Sequence, residues 1–163
     1  MCNIDELCGI SYSFFRSGSM GSTDICPRPG EQMTELIQQT ANNRLGAVYS
    51  VLYGFWSSRH HAVAAGRQAI RARRDAYSII LFDHATTHVL INDFTKTPDQ
   101  LLAAVLRHQT GGSTNFTVAL RAGQNVMEQN WSTERFVTFY LAILHLIHIV
   151  TSATQSASDD LPI

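Results

Sequence analysis

Charged side chains are scarce in this chain of 163 residues, at 15% of the sequence against an ordinary share of about a quarter. That scarcity excludes a disordered, solvating segment and suits a sheet covered on both faces. The few charges nearly cancel, to a net of -1, so no electrostatic footprint for nucleic acid exists and none is expected as a partner. Cysteine is sparse too. Cys2, Cys8 and Cys26 are odd in number and form no CxxC pair, and no basic, apolar signal segment opens the chain. An intracellular, cytoplasmic location is the expectation. No Gly-Lys-Ser/Thr follows either glycine cluster, which excludes a P-loop. The apolar run Phe136 to Val150 has 15 residues, interrupted by His145 and His148, short of the roughly 20 that span a bilayer. It is expected in the core, as a buried strand or helix. A tail anchor through 136–150 is the lesser reading, and a membrane is not an expected partner.

Apolar residues make up 45% of the chain, enough for one domain that buries roughly 70% of its unfolded surface. Cys8 to Phe15 has the aromatic, β-branched character of a first strand and is followed by the loop SGSMGSTD. Pro27, Pro29 and Gly30 break the chain, and helical structure is expected only from Arg44. There Leu45, Val48, Leu52 and Phe55 recur at spacings of three and four, and the register continues toward Ile70 with a break expected near Ser57 to His60. Tyr77 to Phe82 reads as a strand buried on both faces. Asp83 to Ala85 turns the chain, and Thr87 to Ile91 returns antiparallel. Thr97, Pro98 and Gln100 form a capping box that opens a helix buried through Leu101, Leu102, Val105 and Leu106. The order of elements predicts an α/β layer structure with a largely parallel sheet.

The chemistry concentrates in two loops, each following an apolar run. In GGSTNF, Gly111 and Gly112 permit a tight turn, and Ser113, Thr114 and Asn115 place short polar side chains beside the amides that open a helix. That helix has an apolar face of Phe116, Ala119, Leu120, Gly123, Val126 and Met127. A hydroxyl there serves as a helix cap, an anion contact or a ligand for a hard cation. The second loop is SGSMGS, Ser17 to Ser22. It is one residue short of a G-x-S-x-G nucleophile elbow with Ser19 as nucleophile, but Ser17 stands where the first glycine is needed, so a serine hydrolase is the minor alternative. Arg59, Arg67, Arg71 and Arg74 fall within a third of a helix circumference. A solvated helix side is preferred there to a docking face for phosphate or acidic partners. His145 and His148 share a helix face without acidic or cysteine company, and no metal pair is assigned to them.

Ser17, Gly18, Ser19 and Met20 match the end of Asp-x-Ser-Gly-Ser-Met, and GGSTNF matches Gly-Thr-Asn-Phe. On these two elements the chain resembles the von Willebrand factor type A domain, in its intracellular branch. The resemblance covers residues 8–150, is clearest over 8–135, and leaves 151–163 as a polar tail. It implies a doubly wound, Rossmann-like sheet flanked by helices. It also implies a protein-binding, non-catalytic role and a metal site drawing on Ser17, Ser19 and Thr114. Two departures weaken that site. Phe15 stands where the family's leading aspartate belongs, and no Asp-Gly ends the strand expected after Arg135. Asp24 and Asp83 are candidate substitute ligands, but nothing in their spacing recommends them. Ser156, Ser158, Asp159 and Asp160 look like the family's continuation, displaced, so the C-terminal part is expected to be incomplete. Mg²⁺ binding is expected to be weak or absent, because hydroxyls alone do not offset the dehydration of a divalent cation.

Overall fold

Asp75–Phe82 forms a strand with all eight residues buried, and the other elements are stacked around it. The computed structural model describes residues 8–66, 75–130 and 136–141. Numbered in chain order, this strand is β2. β1 (Cys8–Phe15) runs parallel to it, from Cys8 opposite Asp75 to Phe15 opposite Phe82. β4 (Phe136–Leu141) lies parallel on the other side of β1. β3 (Thr86–Asp93) returns antiparallel from β2, so the strand order is β3-β2-β1-β4. The apolar run from Phe136 thus opens with a strand of the main sheet. Its remainder, 142–150, the tail 151–163 and Arg67, Arg71 and Arg74 lie outside the described residues.

The period-two geometry of β2 divides its side chains between two layers. Tyr77, Ile79 and Leu81 join Phe14 in a cluster with α2 (Arg44–Gly66) and α3 (Pro98–Val105), whose contributions include Tyr49, Trp56, Leu101 and Leu102. Ile80 packs instead with Ala122 and Val126 of α4 (Phe116–Asn130). Phe82 meets the edge of Phe116 with ring centroids 5.8 Å apart. Both faces of β2 are therefore covered, the arrangement that a continuous apolar run requires.

Three helical expectations are corrected. A helix absent from the sequence reading, α1 (Thr34–Thr40), precedes α2. It is too short for a periodic signal and is held by tertiary contacts: Ile37 is fully buried and the Thr34 hydroxyl donates to the Arg28 carbonyl at 2.9 Å. α2 begins hard against its end, where a Cβ on Gly46 would lie 1.7 Å from the Ala41 carbonyl oxygen. α2 also continues through Ser57 to His60 without a break. Its burial centres on Leu45, Tyr49, Leu52, Tyr53 and Trp56, with Val48 and Phe55 at the margin. On α4 the buried residues are Ala119, Ala122, Gly123 and Val126, whereas Phe116 and Leu120 are 46% and 50% exposed. Small residues let this helix approach the sheet closely, so the larger ones flank the contact. The capping box of α3 forms as expected: the Gln100 amide donates to Thr97 Oγ1 at 3.3 Å and the Thr97 amide to Gln100 Oε1 at 3.0 Å.

Candidate functional site

Parallel strands deliver their following loops to one edge of the sheet, and ligands of open α/β sheets bind beyond that carboxyl edge. The loops after β1 and α3 meet there through backbone bonds. The Gly18 amide donates to the Gly112 carbonyl at 3.1 Å, and the Gly111 amide donates to the Arg16 carbonyl at 2.9 Å. The serine loop and the GGSTNF loop are thus stitched side by side. Gly112 has φ +71, and a Cβ there would lie 2.6 Å from His84 Nδ1 and 3.1 Å from Asp83 Cγ, so glycine alone fits.

Beneath the junction is a polar hub that spacing along the chain does not display. Because β1 and β2 end in register, Arg16 and Asp83 follow as the next neighbouring pair. The Arg16 guanidinium lies 3.1 Å from the Asp83 carboxylate and also donates to Thr87 Oγ1 at 3.2 Å. Asp83 is buried. Its carboxylate accepts from the Ala85 amide at 2.9 Å and faces His84 Nδ1 at 3.1 Å. Its main-chain carbonyl accepts from the Asn115 amide at 2.7 Å. Burial alone would raise the Asp83 carboxyl, but the Ala85 amide, Arg16 and His84 outweigh it and hold the group below the ordinary carboxylate value. On the α2 side, burial pushes the Tyr49 phenol well up, against the opposing pull of Arg16.

The hydroxyls named from sequence are placed as follows. Ser17 is 3% exposed, and its Oγ is 2.9 Å from Ser19 Oγ. The chain then makes a single 3-10 turn over Gly18–Gly21. Thr114 is exposed on the neighbouring loop. The cap of α4 is Asn115, whose Oδ1 accepts from the Val118 amide at 3.2 Å, so Ser113 and Thr114 are not spent on capping. Both substitute acids have arginine partners. Asp83 is held by Arg16, and Asp24 is gripped by Arg44 through two bonds of 2.6 and 2.5 Å. Among the described residues no three or more His, Cys, Asp or Glu side chains cluster as a metal-ligand set.

A family model for the von Willebrand factor type A domain matches residues 16–141, from the serine loop through β4. The chain belongs to that family. A von Willebrand factor A domain is an α/β, Rossmann-like unit, and the family commonly mediates protein interactions. The match includes β4, and so extends past the point at which the motifs stop. A search of curated proteins finds no match. Among solved structures, the chain is similar to an uncharacterized membrane-spanning protein from Vibrio fischeri. Identity is 17% and the TM-score 0.52, over 77% of this chain and 51% of that one. It is also similar to the PilB minor pilin from Streptococcus sanguinis, at 14% identity and a TM-score of 0.40, over 76% of this chain and 26% of that one. The chain therefore spans about half the length of the first and a quarter of the second. Likeness at these identities concerns the fold alone. Among the described residues no helix is long and apolar enough to cross a membrane.

Proposed function

We propose that this von Willebrand factor A domain is a non-catalytic, intracellular protein-interaction module, cytoplasmic and doubly wound, whose metal site is degenerate. One observation carries the reading: the stitched loops bring hydroxyls to the carboxyl edge, and among the described residues the two candidate acids, Asp24 and Asp83, are each paired with an arginine. Ser17, Ser19 and Thr114 are neutral oxygen donors of the type Mg²⁺ accepts. They bring no charge to offset its dehydration, and Phe15 occupies the family's aspartate position. Arg16, paired with Asp83, already supplies a fixed cation beneath the loops. The residues therefore offer the oxygen donors of a metal site and not its charge, and Mg²⁺ binding is weak or absent. The Ser17–Ser19 pairing also supports a non-catalytic role, since a serine nucleophile needs a base at that distance.

A partner that engages these loops does so through surface contacts that need no cation. Affinity capture with the natural chain should recover the same protein in Mg²⁺ and in chelator, and the double substitution Ser19→Arg and Thr114→Arg should abolish it. Capture lost on chelation alone would sink the degenerate-site reading. Covalent labelling of Ser19 by a fluorophosphonate would overturn the non-catalytic one.

A further inference from the structure

We draw no further inference here: the strongest candidate, the polar pocket of about 190 Å³ between the end of α1 and the segment that follows α3, lined by Thr40, Asn43, His108 and Thr110 among others, carries nothing because nothing in the structure shows what would cover it.

Discussion

Asp83 joins more of the molecule than any acid the motifs point to. Through its carboxylate it meets Arg16 at the end of β1, and through its carbonyl the Asn115 amide at the start of α4. The hub was not legible as a motif because Arg16 and Asp83 are far apart in the chain. The parallel register that makes them neighbours is a property of the assembled sheet. Removing one partner of a largely buried ion pair leaves the other charge stranded, so Asp83→Asn should destabilise the fold by about 3 kcal/mol in chemical denaturation. The sign of its pH dependence follows from the depressed carboxyl. With the folded value below the ordinary 3.8, the stabilisation is complete above the unfolded value and is lost as pH falls through the folded one. As pH falls below about 4 the natural chain should therefore lose stability more steeply than Asp83→Asn. Parallel curves for the two would show that the carboxylate carries no such linkage.

At the scale of elements, strands were more legible than helices, for a physical reason. A strand buried on both faces must be mostly apolar, and the run from Tyr77 to Phe82 meets that condition apart from Ser78, whose hydroxyl accepts from the Asn92 amide at 2.9 Å. The hairpin and the capping box of α3 were likewise local, set by a few adjacent residues. The contact faces of helices were not, because they depend on what each helix meets. In α4 the small residues Ala119, Ala122 and Gly123 make the contact, and the larger Leu120 is left outside. Ile79→Ala and Ile80→Ala should cost alike, about 2 to 5 kcal/mol each, since the two side chains enter opposite layers that are equally buried. Leu120→Ser should change stability by no more than about 0.5 kcal/mol. Thermal or urea melts of the three variants check this. A strand with one solvated face would show a large cost at one isoleucine and little at the other.

Over the whole molecule, the serine loop and the GGSTNF loop lie side by side at the carboxyl edge, and on the proposed reading the anionic part of the family's site is missing there. The serine and threonine motifs were legible because they are contiguous. The arginine that pairs with Asp83 became visible only in the fold. Calorimetric titration of the folded chain with Mn²⁺ and Mg²⁺ tests the resulting claim most directly. The natural chain should give no binding up to about 1 mM, and Phe15→Asp, which adds the carboxylate that the family resemblance calls for, should bind measurably. Micromolar binding by the natural chain that disappears in Ser19→Ala would contradict the account.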